Sequence, residues 1–160
     1  MPNVFLILDN IRSVHNVGSI FRTAETIGVS KIYCLGTTPT PIDRFGRKRK
    51  DFAKVSLGAE DMVEWEYAED GLKLIRELKK EGFYIISVEQ AEDSIDYRKV
   101  KPRGKPRGKS AFIFGNEVDG VGQGLIDGSD IVAEIPMLGK KESLNVSISV
   151  AVILFGISGR

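Results

Sequence analysis

Residues 111–122 read AFIFGNEVDGVG, a short apolar run that passes directly into a turn rich in glycine and acidic side chains. A run of this length and composition is typical of a strand buried inside a sheet. The chain contains five such runs, at residues 4–8, 31–35, 83–88, 111–114 and 131–135. Each is predicted to be a buried strand.

Helical stripes separate these strands and indicate how they pair. Between the first two runs, Gly28 follows a stripe of apolar residues at helical spacing, namely Val17, Ile20, Phe21, Ala24 and Ile27. A second stripe begins at Gly71 and stops at Gly82, just before the run at 83–88. Because strands that alternate with helices pair in parallel, the order predicts an α/β fold with a mainly parallel sheet.

Length and composition limit the class of protein. The 160 residues allow one compact domain, residues 1–160, with little room for a second. Lys+Arg 23 against Asp+Glu 22 leaves a net charge of +1, so any anion-binding site has to be a local patch. One histidine and one cysteine provide no cluster with zinc-ligand spacing, and the longest apolar run is too short for a membrane span. The sequence therefore predicts no metal site. Because it also lacks a signal-peptide pattern, we expect a cytoplasmic protein.

Two basic segments are candidates for contact with nucleic-acid phosphates. Arg44, Arg47, Lys48 and Arg49 follow a proline-rich turn, and residues 101–109 read KPRGKPRGK. Lysine and arginine on loops can follow a phosphate backbone, but the same composition also suits a solvated surface loop. Both alternatives stay open for each segment.

Residues 145–155 read NVSISVAVILF and fit two secondary structures. The alternation of β-branched and small residues favours a strand. Wrapped as a helix, the stretch is apolar on nearly every side, with Leu144, Ile148, Ala151 and Phe155 on one side and Val146, Val150 and Ile153 on another. Such a helix has to be buried, for example between two subunits, and periodicity alone leaves the choice open.

Three segments carry polar side chains and glycines just beyond predicted strands, where open α/β sheets bind their ligands. The first is residues 16–29, in which Asn16 can cap a helix and Arg22 lies off the apolar stripe. The second is the turn quoted above, which lacks the Lys-Ser/Thr of a P-loop and the GxGxxG of a dinucleotide site. The third is residues 135–147, where Ser143 has no neighbouring histidine and so gives no serine-hydrolase pattern.

In this order and at these separations, the three segments resemble the motifs of the SpoU (TrmH-type) RNA 2′-O-ribose methyltransferases of the SPOUT class. DNIRSVHNVGSIFRTAETIGV resembles the family's first motif, FGNEVDGVG its second, IPMLGKKESLNVSISVA its third, and KVSLGAE its short middle signature. The resemblance spans almost the whole chain. It implies a mainly parallel sheet with helices on both faces, a C-terminal deep trefoil knot and a helical C-terminal stretch, which together make the SPOUT fold.

The resemblance also implies an activity and partners. The family transfers a methyl group from S-adenosyl-L-methionine, bound in the knot without a metal, to a ribose 2′-hydroxyl of RNA. We therefore expect a tRNA or rRNA substrate, with tRNA slightly favoured. Family proteins are homodimers that share the active site across the interface, so the C-terminal helix is expected to form that interface.

The motifs carry the family's site residues onto this chain. By resemblance, the catalytic residues are Arg22, Asn16, Glu117, Ser143 and Asn145. The residues expected to bind the cofactor, largely through backbone groups, are Val88, Gly115, Ile135, Met137, Ser143 and Leu144. With RNA as the substrate, the candidate RNA contacts are Arg22, Arg44, Arg47, Lys48 and Arg49.

Methyl transfer to a hydroxyl requires alignment of the two groups and a more nucleophilic oxygen. Since a guanidinium does not lose its proton in a protein, we expect Arg22 to act as a cation that holds a phosphate and stabilises developing alkoxide charge. Glu117 is a candidate proton acceptor, or a residue that orients Arg22.

Two other classes of function remain as alternatives. A nucleotide-binding switch or dehydrogenase is suggested by the strand-to-glycine turn and opposed by its missing motifs. A non-catalytic RNA-binding module with the same fold is opposed by the presence of every expected polar residue. Choice of RNA would rest on the basic loops or on a partner protein.

Overall fold

A computed structural model describes residues 3–101 and 108–158, so most of the segment KPRGKPRGK lies outside the described residues. The strands are β1 (Val4–Asp9), β2 (Lys31–Leu35), β3 (Glu64–Ala68), β4 (Tyr84–Val88), β5 (Ile95–Asp96), β6 (Ser110–Gly115) and β7 (Ile131–Glu134). The helices are α1 (Val14–Ile27), α2 (Lys50–Ser56), α3 (Gly71–Lys80), α4 (Gln123–Gly128) and α5 (Val146–Ser158), with 3-10 turns at Ala59–Asp61 and Tyr97–Lys99.

The described strands form one sheet in the order β3-β2-β1-β6-β4-β7-β5, and every neighbouring pair is parallel. The predicted parallel α/β class is therefore confirmed. The five predicted strands match β1, β2, β4, β6 and β7 to within one residue at each end. Because all strands run the same way, their carboxyl ends, and the loops that follow them, lie along one edge of the sheet.

The sequence patterns missed the two outer strands, β3 and β5. The sequence of β3 is EWEYA, and its two glutamates, Glu64 and Glu66, are exposed because the strand is at the edge of the sheet. Lys31 on β2 bridges their carboxylates at 2.8 and 2.9 Å. An outer strand of this kind carries no continuous apolar run, which is why the apolar pattern did not predict it.

Side chains of β1 alternate between two cores on opposite sides of the sheet. Leu6 and Leu8 belong to a buried cluster that includes residues of α1, α2 and α5. Ile7 points the other way, into a second cluster with residues of α3 and α4. The helix α1 therefore lies on the same side of the sheet as α5.

Helix α1 begins one residue after Ser13, whose hydroxyl oxygen accepts a hydrogen bond from the Asn16 N–H at 3.1 Å. The prediction that Asn16 caps this helix is wrong, because Ser13 has that role. Gly28 ends the helix in the left-handed conformation, with φ of 76°, as the sequence predicted. Since Asn16 is inside the first turn, its side chain is available for contacts elsewhere.

Helix α2 packs closely against α1. A Cβ atom at Gly18 would lie 3.0 Å from the Cβ of Val55 and 3.3 Å from the carbonyl oxygen of Phe52, so the approach leaves little room for a larger residue. The rings of Phe21 and Phe52 meet edge to face with centroids 5.1 Å apart. The two helices therefore behave as one packed unit.

The C-terminal stretch is the helix α5, as the resemblance implied, and the strand alternative is wrong. Val146, Val150, Ile153 and Leu154 are buried against the sheet and α1. Ile148 and Phe155, one repeat of seven apart, are 52% and 41% exposed. This helix therefore keeps one apolar stripe at the surface of the chain. Within residues 3–101 and 108–158, no helix has the length and apolar character required to span a membrane.

We expect Phe52→Ala to lower the free energy of unfolding by about 3–5 kcal/mol, because it leaves a cavity between α1 and α2. Phe52 is fully buried, whereas Phe45 is 66% exposed, so Phe45→Ala is a matched control that should change stability by no more than about 0.5 kcal/mol. Urea unfolding followed by circular dichroism measures both. Equal losses for the two variants would contradict the close packing of α2 against α1.

Candidate active site

A cavity of about 270 Å³ lies at the carboxyl ends of β4, β6 and β7. Its walls include all six residues that the motifs predicted for cofactor binding, namely Val88, Gly115, Ile135, Met137, Ser143 and Leu144. Phe114 and Val146 add apolar surface. Segments far apart in the sequence are thus brought together by the parallel sheet.

The cavity also has a distinctly acidic lining. Glu89, Glu117, Glu134 and Glu142 all contribute to its walls. No lysine or arginine of the described residues does so. Such a lining favours a ligand that carries positive charge.

Much of the backbone beside the cavity is not paired with other backbone groups. Residues 137–144 make no backbone–backbone hydrogen bond with any other residue that the structure describes. The one hydrogen bond that the structure describes between this segment and the rest of the chain is donated by Gln90 Nε2 to the carbonyl oxygen of Glu142, at 2.8 Å. The remaining N–H and C=O groups of the segment can bind a ligand or water.

The turn after β6 is held by Asn116, which is buried. Its Oδ1 accepts hydrogen bonds from the N–H groups of Val118 and Asp119 at 2.7 and 3.1 Å. Its Nδ2 donates to the carbonyl oxygen of Asn10 at 2.8 Å, which ties the turn to the loop after β1. Glu117, the next residue, is therefore presented on a fixed backbone.

Two carboxylates that the sequence analysis did not select hold the far end of this turn. Glu89 Oε2 accepts a hydrogen bond from the Val121 N–H at 3.0 Å, and Asp9 Oδ2 accepts one from the Gly122 N–H at 2.8 Å. Glu89 directly follows β4, and Asp9 is the last residue of β1. Their position at strand ends was the available signal, but neither was part of a recognised motif.

Glycine is required at two points of the same turn. A Cβ atom on Gly115 would lie 2.1 Å from the nitrogen of Val121, and one on Gly120 would lie 2.2 Å from Oε2 of Glu89. Gly120 also has φ of 70°. These glycines let the turn fold back on the end of β6. Their role in this turn is steric, and differs from the phosphate binding of glycines in a P-loop.

Three of the predicted catalytic side chains form a continuous hydrogen-bond chain. Asn145 Nδ2 donates to Asn16 Oδ1 at 3.1 Å, and Asn16 Nδ2 donates to Glu117 Oε1 at 2.9 Å. Asn145 Oδ1 in turn accepts from the N–H and the hydroxyl of Ser147, at 2.9 and 2.6 Å. The direction of both amides is set by these partners, and the carboxylate at the end of the chain is held in one orientation.

Arg22 lies apart from this chain. It is exposed on α1, does not line the cavity, and its side chain makes no hydrogen bond or ion pair with a residue that the structure describes. Ser143, by contrast, is at the cavity wall. Within one chain, the predicted catalytic residues are therefore brought together except for Arg22.

The first basic segment carries less free positive charge than its composition indicates. Arg47 pairs with Asp43 at 3.0 Å, Lys48 with Asp61 at 2.9 Å, and Arg49 with Asp51 at 2.9 Å. Hydrogen bonds from the backbone N–H groups of Arg47 and Phe45 and from the Arg47 side chain hold the pKa of Asp43 below its ordinary value. Phosphate contacts by these cations would compete with the carboxylates.

No group of three or more His, Cys, Asp or Glu side chains in residues 3–101 and 108–158 is arranged to hold a metal ion. Cys34 is buried, and burial raises the pKa of its thiol to about 12. This cysteine is part of the core and does not contribute to the site.

The chain is similar to RNA methyltransferases. It is 32% identical over 153 residues to the 23S rRNA (guanosine-2′-O-)-methyltransferase RlmB of Neisseria meningitidis, an alignment that covers 96% of the chain and 57% of the relative. It is 33% identical over 157 residues to the tRNA (guanosine(18)-2′-O)-methyltransferase of Thermus thermophilus, covering 96% and 73%. The chain thus spans little more than half the length of the first relative.

Solved structures show the same architecture. The A. aeolicus TrmH/SpoU tRNA modifying enzyme matches with a TM-score of 0.85 at 24% identity, over 99% of the chain and 75% of that protein. The AdoMet-bound rRNA methyltransferase of Sinorhizobium meliloti matches with a TM-score of 0.87 at 25% identity, over 99% and 56%. The model of the SpoU rRNA Methylase family matches residues 3–155. The sheet, the motif segments and these matches agree, and the chain belongs to the SpoU rRNA Methylase family.

Proposed function

We propose that this chain transfers a methyl group from S-adenosyl-L-methionine to a ribose 2′-hydroxyl in tRNA or rRNA. The observation that carries the proposal is the hydrogen-bond chain from Asn145 through Asn16 to Glu117, beside a cavity lined by Glu117 and the predicted cofactor residues. The relatives' names specify 2′-O-methylation of guanosine in 23S rRNA and in tRNA, so both RNA classes are candidate substrates. Family membership speaks against the nucleotide-switch and dehydrogenase alternatives.

The cavity fits S-adenosylmethionine in three respects. Val88, Phe114 and Ile135 offer apolar surface for an adenine ring, and Glu89 and its acidic neighbours suit a cation. The backbone of residues 137–144, which makes no backbone–backbone hydrogen bond with the described residues, can bind the nitrogens of the ring. When bound, the cofactor supplies a methyl group on a sulfonium sulfur that a nucleophile can attack. A cofactor-bound structural relative, the S. meliloti enzyme, supports this choice.

Glu117 is the proposed proton acceptor. One carboxylate oxygen, Oε1, accepts from Asn16, while Oε2 takes part in no hydrogen bond with the described residues. That second oxygen can take the proton of a ribose hydroxyl as it becomes the nucleophile. Asn145 and Asn16 hold the carboxylate in place for this transfer, and they release no proton themselves.

Arg22 is proposed to act as a permanent cation that holds an RNA phosphate and stabilises charge on the ribose oxygen. Its exposed position away from the cavity of its own chain is consistent with an active site completed by a second subunit. The apolar stripe of Ile148 and Phe155 on α5 is the surface that we propose for this homodimer. Helix α5 packs on α1, so an interface at α5 brings the Arg22 helix close to the partner.

The C-terminal part of the chain is proposed to form a deep trefoil knot. The sheet order places β6 between β1 and β4, and β7 between β4 and β5, so strands made late in the chain lie between strands made earlier. Agreement over 99% of the chain with the TrmH/SpoU structure supports this topology. A cytoplasmic location and a single domain over residues 1–160 remain predictions.

We expect Arg22→Ala to reduce methyl transfer by roughly 100- to 1,000-fold, the usual effect of removing one charge-stabilising group, while folding and cofactor binding persist. The assay follows the transfer of labelled methyl groups from S-adenosylmethionine to undermodified tRNA and rRNA. Calorimetry measures the affinity of the variant for the cofactor. Arg76→Ala is the control, since Arg76 is exposed on α3, on the opposite side of the sheet. An active Arg22→Ala protein would remove Arg22 from the site.

Changing the α5 stripe tests the dimer. Ile148→Glu should convert a dimer to a monomer and abolish methyl transfer, because a charge cannot be buried in an apolar interface. Ile148 is 52% exposed in the single chain, so its fold should persist. Light scattering measures the mass, and Leu72→Glu on α3, where Leu72 is 42% exposed, is the control. A dimeric, active Ile148→Glu protein would exclude this interface.

The double variant Arg47→Gln/Arg49→Gln tests whether the first basic segment contacts phosphates. Each lost contact should reduce the slope of log affinity against log salt by roughly 0.7–0.9. Filter binding to tRNA over a range of salt concentrations gives the slope, and Lys73→Gln/Arg76→Gln on α3 carries the same charge change away from the segment. If the slopes of both double variants match the wild type, the segment makes no phosphate contact.

A further inference from the structure

The loop between β2 and α2 is built around an exposed aromatic ring. Ile42 and Lys48 form an isolated antiparallel bridge, and Gly46 turns the chain with φ of 76°. At the tip of this loop, Phe45 is 66% exposed. The cations of this loop were predicted from the sequence as RNA contacts, whereas its aromatic residue was not.

Asp43 fixes the loop from within. Its Oδ1 accepts hydrogen bonds from the N–H groups of Phe45 and Arg47 at 2.8 and 2.9 Å, and its Oδ2 accepts from Arg47 Nε at 3.0 Å. The N–H of Gly46 also donates to the Asp43 carbonyl oxygen at 3.0 Å. The ring is thus held outward by a defined backbone, which lowers the entropy that a ligand would have to remove.

Two guanidinium groups lie against the ring. The central carbon of the Arg44 guanidinium is 4.8 Å from the centroid of Phe45, and that of Arg47 is 5.0 Å from it. Arginine and phenylalanine both present flat faces on which nucleobases stack. We call Arg44, Phe45 and Arg47 the stacking cluster.

The stacking cluster is connected to the helix that carries the candidate catalytic residues. The loop leads directly into α2, which packs on α1 at Gly18 and through the contact of Phe52 with Phe21. Helix α1 carries both Asn16 and Arg22. A nucleotide held by the cluster is therefore anchored to the same packed unit as the catalytic helix.

We propose that the stacking cluster binds an unpaired base of the RNA substrate. The inference rests on the proposed function for its ligand, RNA, and adds that the substrate offers a single-stranded nucleotide at this point. Bases inside a duplex are already stacked on their neighbours, so only an unpaired base can present a face to Phe45. Because Arg47 is paired with Asp43, the contact depends on stacking more than on net charge.

The test measures affinity for a short single-stranded RNA and for a duplex of the same sequence, over a range of salt concentrations. Phe45→Ala and Phe45→Leu should each weaken single-strand binding by about 5- to 150-fold, the range for loss of one base–aromatic stack, with an unchanged salt slope. Phe45→Tyr should retain affinity. Leu72→Ala, which shortens an exposed apolar residue on α3, is the control.

A spectroscopic signature separates stacking from a structural effect. The chain has one tryptophan, Trp65, on β3. The fluorescence of the wild-type protein therefore measures the Trp65 background, against which the signal of a Phe45→Trp variant is compared. Stacking of a base on the new indole should quench its fluorescence when single-stranded RNA is added, and the duplex should quench it much less. The wild-type signal should change little with either RNA.

The proposal would be overturned by wild-type affinity in Phe45→Ala, by no quenching in Phe45→Trp, or by no RNA binding by the wild-type protein. A change in the mass of Phe45→Ala by light scattering would assign the ring to contact between two copies of the chain, and would also overturn it. Methyl transfer by the wild-type protein is measured separately. If methyl transfer is absent but both Phe45 effects are found, the proposed reaction fails while the stacking cluster stands.

Discussion

The parallel pairing of β1 with β6 determines the rest of the site. Their register places Asp9 opposite Gly115, so the loop that leads to α1 and the turn that carries Glu117 leave the sheet side by side. Asn116 and Asp9 then tie the two segments together through backbone groups. The contact between Asn16 and Glu117 follows from this register. If β1 and β6 paired one residue out of register, the two segments would be displaced by one residue, and the side chains of one strand would point to the opposite face of the sheet.

The sequence predicted the central strands well because buried parallel strands consist of continuous apolar runs. It did not predict β3, whose glutamates are exposed at the sheet edge, or β5, which has only two residues. The stretch that became α5 fitted two structures by periodicity, and the family motifs correctly indicated a helix. The periodicity was ambiguous because α5 is apolar both on its buried face and on the stripe that remains at the surface of the chain.

For the site, the motifs identified residues that line one cavity, but they did not reveal how these residues are held. Glu89 and Asp9 support the turn with single carboxylate oxygens, and such backbone contacts between distant segments leave no pattern in a local sequence. Composition likewise overstated the charge of the first basic segment, since three of its cations lie beside carboxylates. Ion pairing of this kind depends on loop geometry, as the five hydrogen-bond donors of an arginine can be used internally.

The partners of Asn16 lie 101 and 129 residues further along the chain. During synthesis on a ribosome, α1 is complete long before Glu117 and Asn145 exist, and β6 has to enter the sheet beside β1 after β2, β3 and β4 have been made. Pairings over such separations in sequence fold slowly, because loop closure precedes their stabilisation. Until β6 has been synthesised, β1 lacks its partner strand on one side, and the contacts of Asn16 with Glu117 and Asn145 cannot form.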